Sequence, residues 1–251
     1  MKTKASRPVG TPYRIEDGTL IVELPRPVRV LSSAPRGGGF AKARTILNRQ
    51  VPADPPGGAR KPAGPGRWRD PARELGAVAK RLGVDVRCVG LMTAVPMRHV
   101  VACRAADGSL WVDCFVTVGV NNAVRVGESV GTSNGRRSSP AGTINIILIT
   151  NARLPASAMV CAVQVATEAK TAALFAARVL SRKTGRLGAT GTGTDAVVVA
   201  AGADPVGPAL RYAGTHTKLG ELIGRAVLAG VREGLIRWAR WEGRAGRGLV
   251  R

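Results

Sequence analysis

From Ile144 to Thr150 the chain is a β-branched run, bounded by Gly142 on one side and by turn-forming residues between Asn151 and Pro155 on the other. Such a run predicts a strand buried on both faces. The period then changes. Pro155 suits the first turn of a helix, where its missing N–H costs least. At about 100° per residue from there, Met159, Val163, Ala166, Ala173, Leu174 and Ala177 share one face, with Lys170 in the middle of the stripe. Gln164 and Glu168 fall on the opposite face, so Glu168 cannot pair with Lys170 across the helix. A lysine in an apolar stripe needs a partner or a route for its ammonium to water. A stem packed under the helix and a functional amine both fit the pattern.

The same reading runs along the chain. Tyr13 to Glu16 and Thr19 to Leu24 flank Asp17-Gly18, a pair suited to a tight two-residue hairpin turn. Val28 to Leu31 reads as a third short strand after Pro25 and Pro27, and Gly37-Gly38-Gly39 leads into a short helix over Phe40 to Leu47, ending at Asn48. Glycines before a helix can offer backbone N–H groups to an anion or a carbonyl oxygen, although a flexible turn has the same composition. Residues 51–69 are rich in proline and glycine and read as a loop. Asp70-Pro71 supplies an N-cap and a first-turn proline for a helix carrying Leu75, Val78, Ala79 and Leu82, stopped by Gly83. Strands follow at Val86 to Leu91, Met97 to Arg104 and Leu110 to Val118, the last two joined by a hairpin at Ala106-Asp107-Gly108-Ser109. Ala196 to Ala201 is another apolar strand, and Thr217 can cap a final helix with Leu219, Ile223, Ala226 and Gly230 inward.

These elements add up to α/β in the loose sense: one mixed sheet with antiparallel hairpins early and two long helices packed on it. A single domain over residues 1–251 is expected, with an Arg-rich tail at 242–251. No apolar run approaches the roughly 20 residues of a membrane span. The N-terminus has charge without an apolar core after it, so a cytoplasmic setting is the expectation.

Composition adds one question. The net charge is +22, and eight of the 38 basic residues are Lys, leaving 38 − 8 = 30 Arg. So basic a chain nominates a polyanion partner, yet the arginines are scattered and no recognition helix, stacking aromatics or zinc finger accompanies them. No specific nucleic acid is expected. Cys88, Cys103, Cys114 and Cys161 share no C-x-x-C spacing and read as small buried hydrophobes, and His99 reads as a structural residue opening a strand. No metal-ligand cluster is evident.

Two further positions carry chemistry. Gly191-Thr192-Gly193-Thr194-Asp195 sits at the mouth of the Ala196 strand, where glycines let a ligand approach and threonines offer hydroxyls. It lacks the Gly-Lys-Ser/Thr ending of a phosphate loop, and a plain turn with Asp195 capping its own backbone also fits. His216 precedes the last helix, whose positive end favours a neutral imidazole able to take a proton. A loop histidine bonded to a neighbouring carbonyl fits equally.

Six short patterns occur in one order: Gly90-Leu91-Met92-Thr93-Ala94, Thr117 to Ala123, Gly142-Thr143-Ile144-Asn145, Thr167-Glu168-Ala169-Lys170 with Ala172-Ala173-Leu174, Gly191 to Asp195, and Tyr212 to Gly220. The series resembles the adenosylcobinamide amidohydrolase family of corrinoid salvage, over roughly Gly37 to Trp241; Asn121 departs from it, standing where a small residue is expected. The resemblance implies hydrolysis of the aminopropanol amide of adenosylcobinamide to adenosylcobyric acid and aminopropanol, feeding cobalamin synthesis. The corrinoid cobalt would belong to the substrate, with no cofactor or metal of the protein's own. Because cobinamide has no phosphate and a cationic cobalt, the +22 is no substrate attractor.

Amide hydrolysis needs a nucleophile, a proton for the amine and donors for the carbonyl oxygen. Asp195, His216 and Lys170 are the candidate catalytic residues, with Asp195 or His216 activating water or the hydroxyl of Thr143, Thr194 or Thr215. Lys170 and backbone N–H groups near Gly142 or Gly193 would steady the oxyanion. Asn122, Thr143, Asn145, Glu168, Gly191, Thr192, Gly193, Thr194, Thr215 and Lys218 are the candidate substrate-binding residues. A corrinoid-binding module without hydrolysis and a basic nucleic-acid binder are the alternatives.

Overall fold

The computed structural model describes residues 8–52, 70–129, 142–185 and 188–243. Most of the loop expected at 51–69, Ala141 and nearly all of the tail expected at 242–251 lie outside these residues.

Strand β1 (Tyr13–Glu16) turns into β2 (Thr19–Ser32) through Asp17 and Gly18 at φ 44° and 64°, the left-handed pair that a two-residue turn requires. Val28 to Leu31 is not a separate strand. It is the far half of β2, which pairs along one edge first with β1 and then, beyond Pro25 and Pro27, with β10 (Ala196–Ala201). Prolines give no ladder N–H, so the register shifts between Glu23 and Val28 and the strand changes neighbours there.

Phe40 to Leu47 is a strand, not a helix: it lies in β3 (Gly39–Gln50), antiparallel to β2. No helix therefore follows the triple glycine. Gly37 and Gly39 have φ of 69° and 77° and turn the chain between two strands. Helix α1 (Pro71–Arg81) is capped by Asp70, which accepts from Ala72 N. The next strands are shifted from expectation: β4 is Val89–Thr93 and β5 is Val101–Asp107, while His99 lies in a 3-10 turn, Met97–His99, instead of opening a strand. β6 (Leu110–Val118), β7 (Ala123–Val124), β8 (Ile144–Thr150), helix α2 (Ala156–Ala176), β9 (Gly191–Thr192), β10 and helix α3 (Lys218–Trp241) complete the order.

The main sheet runs β4-β3-β2-β10-β8-β6-β5 and folds over on itself. Residues of β2, β3 and β4 (Leu20, Val22, Ile46, Leu91) share one apolar cluster with Phe115, Ile147 and Val198 of β6, β8 and β10. Tyr13 meets Phe115 edge-on at 5.2 Å across the same interface. The other face of β6, β8 and β10 carries α2 and α3, and α1 covers Ile21, Leu47 and Cys88 on the outside of the folded half. Alternation explains the split: Val112, Cys114, Val116 and Val118 face the helices, whereas Phe115 and Thr117 face the other sheet layer. Gly230 and Gly234 bring α3 close onto Val116 and Val118.

The stripe on α2 packs inward, with Met159, Ala166, Ala173 and Leu174 buried and Lys170 among them. By length and hydropathy α2 is apolar enough to cross a membrane, contrary to the sequence expectation that no run approaches a span; half of that window is buried against the sheet and α3. A helix buried in a core reads as apolar all round.

Candidate active site

β8 and β10 run parallel with Asn145 opposite Ala196, so Thr143 and Asp195 stand just before adjacent strand starts. The two mouths are laced together: Thr143 Oγ1 donates to Thr194 O at 2.8 Å, and Thr194 Oγ1 donates to Gly142 O at 3.3 Å. Asp195 reaches toward α2, where Lys170 Nζ meets Oδ2 at 2.5 Å, the two side chains being only 9% and 12% exposed. The lysine in the apolar stripe thus has its partner, 25 residues away in sequence.

Asp195 is fully occupied. Its Oδ1 accepts from Ile144 N and Thr192 Oγ1, and its Oδ2 from Thr192 N and Lys170 Nζ. Four donors fill the about four lone-pair positions of a carboxylate, so no direction is left for a water whose proton it could take. Its geometry is that of a group that positions Lys170, not of the base expected from the sequence.

The glycines explain how the chain gets so close. A Cβ on Gly191 would collide with Asp195 Oδ2 and Lys170 Nζ, and one on Gly142 would collide with Asn122 Oδ1 and Asn121 N. Gly193 differs: the nearest atom to a Cβ there would be Asn122 Nδ2 at 4.0 Å, so open space lies before it. Asn122 Oδ1 is buried without a hydrogen-bond partner. The short β7–β9 ribbon, Ala123 opposite Thr192 and Val124 opposite Gly191, holds Asn122 and Gly193 side by side.

Not every expected residue comes to this mouth. Asn145 points between the sheet layers, where its Nδ2 donates to Asn48 Oδ1 (2.9 Å) and Met92 O (2.8 Å), spending both amide hydrogens on a tie across the fold. Asn48 in turn donates to Thr117 Oγ1. Sequence reasoning had Asn48 only as the end of a helix and Thr117 only as the start of one short pattern; the usable signal was a threonine inside the apolar run Phe115 to Val118. Glu168 lies on the exposed face of α2.

His216, Thr215 and Lys218 are at the other end of the molecule. The last turn of α3 is near the mouth, since Asn121 Nδ2 donates to Glu242 Oε1 at 3.2 Å, but the first turn is at the β5–β6 hairpin, where Lys218 Nζ pairs with Asp107 at 3.2 Å and with Glu221. A helix of 24 residues spans about 36 Å. The structure therefore separates His216 from Asp195 and Lys170, contrary to the expectation that the three meet. The Tyr212 to Gly220 pattern instead builds a cap: Thr217 Oγ1 donates to Gly214 O and accepts from Gly220 N, and Gly220 lies against the Gly214 carbonyl too closely for a Cβ. His216→Ala should keep turnover within about twofold, whereas a loss of about 10² would place a general base there; steady-state rates with folding checked decide it.

A cavity of about 590 Å³ also lies away from the mouth, at the sheet's fold, lined among others by Thr11, Leu24, Arg44, Arg104 and Trp111. Its size suits a ligand, but the Arg104 charge on its wall is answered from within, by Asp113 at 2.5 Å. Among the described residues no three His, Cys, Asp or Glu side chains gather as metal ligands.

The sequence of the chain matches a known family. The family described as adenosylcobinamide amidohydrolase matches residues 5–243. An adenosylcobinamide amidohydrolase of Methanosarcina mazei is 32% identical over 232 residues, covering 89% of this chain and 96% of its own. An uncharacterized protein of Methanocaldococcus jannaschii is 32% identical over 241 residues, 88% of this chain and 87% of its own. Among solved structures, a Burkholderia sp. beta-aminopeptidase aligns with a TM-score of 0.48 at 12% identity, over 94% of this chain and 89% of its own. By the extent of the family match and the identity to the Methanosarcina enzyme, this chain belongs to the adenosylcobinamide amidohydrolase family.

Proposed function

We propose that the mouth of β8 and β10 hydrolyses the amide joining aminopropanol to the corrin side chain of adenosylcobinamide, giving adenosylcobyric acid and aminopropanol and returning salvaged corrinoid to cobalamin synthesis. The observation that carries this reading is the buried Lys170–Asp195 pair beside open space at Gly193. Burying two charges costs several kcal/mol per ion, and apolar packing of similar volume is often as stabilising. A paired lysine at a strand mouth is therefore better explained by chemistry than by stability.

The parts fit amide hydrolysis in order. Thr143 is assigned the attacking hydroxyl: Thr194 O fixes its orientation, and the next peptide N–H, that of Ile144, is held by Asp195. Attack on the carbonyl carbon puts negative charge on the carbonyl oxygen, which a cation fixed in advance stabilises without reorganisation. Lys170, locked by Asp195, is that cation. Asn122 Nδ2, the atom nearest the open space before Gly193, is assigned as a second donor to the carbonyl oxygen. The Thr143 hydroxyl proton passes to the amide nitrogen as the C–N bond breaks and aminopropanol leaves as the amine; water then cleaves the threonyl ester, its hydroxyl completing the acid and its other hydrogen returning to Thr143 Oγ1. The cobalt enters with the substrate, the protein adds no cofactor of its own, and a chelator should leave turnover unchanged.

Incubation with adenosylcobinamide, followed by chromatography for cobyric acid and aminopropanol, tests the reading. Thr143→Ala should lower kcat by about 10³ or more, with Thr143→Ser largely active. Full turnover in Thr143→Ala would discard the ester route in favour of direct attack by water.

A further inference from the structure

With the amide at the mouth, the rest of a large substrate still needs a seat. Beside the mouth, the C-terminal part of α2 and the β7–β9 ribbon form a surface with an unusual composition. Phe175 and Leu180 are 45% and 48% exposed, and Val126 is more exposed still. Large apolar side chains grouped at a surface mark an interaction site more often than singly scattered ones.

The grouping is built into the backbone. Leu180 and Gly188 face each other across an isolated antiparallel bridge. A Cβ on Gly188 would fall on the Phe175 ring, so the ring occupies the place of the absent side chain. Directly opposed residues project to the same face, which puts Phe175 and Leu180 side by side. The Arg125 guanidinium lies 5.9 Å from the centre of the Phe175 ring. Val126 N donates to Thr190 Oγ1, and Thr171 Oγ1 of α2 donates to Thr190 O, so ribbon and helix are fastened together under the patch. Glu128 braces the far side, accepting from Arg125 N, Ser181 Oγ and Thr184 Oγ1.

The patch lies within reach of the mouth along the chain. The segment that begins at Gly188 runs through Thr190 and β9 to Gly193, and five residues of extended chain span at most about 16 Å. A substrate whose amide sits before Gly193 and whose body is a broad, largely apolar ring edged with carboxamides must lie over the surface next to it. The ribbon offers apolar contact from Phe175, Leu180 and Val126, and guanidinium donors from Arg125 for carboxamide oxygens.

We propose that Phe175 and Leu180, with Arg125, form the platform that binds the corrin macrocycle while its aminopropanol amide enters the mouth, making them specificity-determining residues remote from the reacting bond. The proposal rests on the placement of the amide at Gly193. Its test is kept separate from the chemistry by measuring equilibrium binding. The full-length wild type, Phe175→Ser, Leu180→Ser and the double variant are titrated with adenosylcobinamide through the corrin absorbance, with circular dichroism and thermal midpoints confirming the fold. Expected is a weakening of Kd by about tenfold or more in the double variant, from loss of the apolar contact area, with the matching change in KM. An unchanged Kd in the folded double variant overturns the platform. Lys170→Met serves as the second arm: turnover lost with Kd retained supports mouth and platform together. Turnover retained in Lys170→Met removes the assigned chemistry, and with it the reason for seating the ring here.

Discussion

Lys170→Met is expected to abolish turnover, with kcat down by about 10³ or more, because the cation assigned to the oxyanion is then missing and, among the described residues, no other cation pairs with Asp195 in its place. The same change should destabilise the protein. Removing one partner of a buried ion pair leaves the other uncompensated, at a cost of about 3–5 kcal/mol. Asp195 keeps its bonds from Ile144 N and from Thr192, but loses the only cation that touches it among the described residues. The two effects separate in the double variant Lys170→Met/Asp195→Asn. There the buried charge is gone, so denaturant midpoints should recover much of the loss while kcat stays low. Recovery of activity together with stability would make the pair a structural tie and remove it from the chemistry.

How far the sequence could be read depended on whether the signal was local. Ile144 to Thr150, Leu110 to Val118 and Ala196 to Ala201 were legible as strands because each lies in its sheet without changing surroundings. Thr217 was legible as a cap because the signal spans only four residues. β3 was not. Its first half is an exposed edge with partial alternation and its second half is buried between layers, so Phe40, Ala43 and Leu47 fall at helix-like spacing without a helix. β7 and β9 are two residues each, too short to leave any period. The site was half legible: Lys170 and Asp195 each stood out against its surroundings, but that they meet is a long-range fact. His216 misled because a motif before a helix does not say which end of the fold that helix start occupies.

The two ends of the fold should respond separately to substitution. Asp113 is wholly buried and accepts from Gly10 N, Thr11 N, Thr11 Oγ1 and the Arg104 guanidinium. Arg104→Ala leaves that carboxylate without its cation and strips the guanidinium lying 4.4 Å over the Trp111 ring, so unfolding free energy should fall by about 3–5 kcal/mol. Arg104→Met keeps an aliphatic stem against Trp111 but not the charge; a similar loss in both variants would assign the effect to the ion pair. Activity should behave otherwise. Asp113 is opposite Ile149 on β8, six residues from Thr143 and so about 20 Å along the strand. Below the lowered midpoint, kcat per folded molecule should stay within about twofold of wild type, since no group at the mouth has moved. A fall of about 10² in folded Arg104→Met would mean that the cavity at the sheet's fold, and not the mouth at Gly193, is where the amide is held.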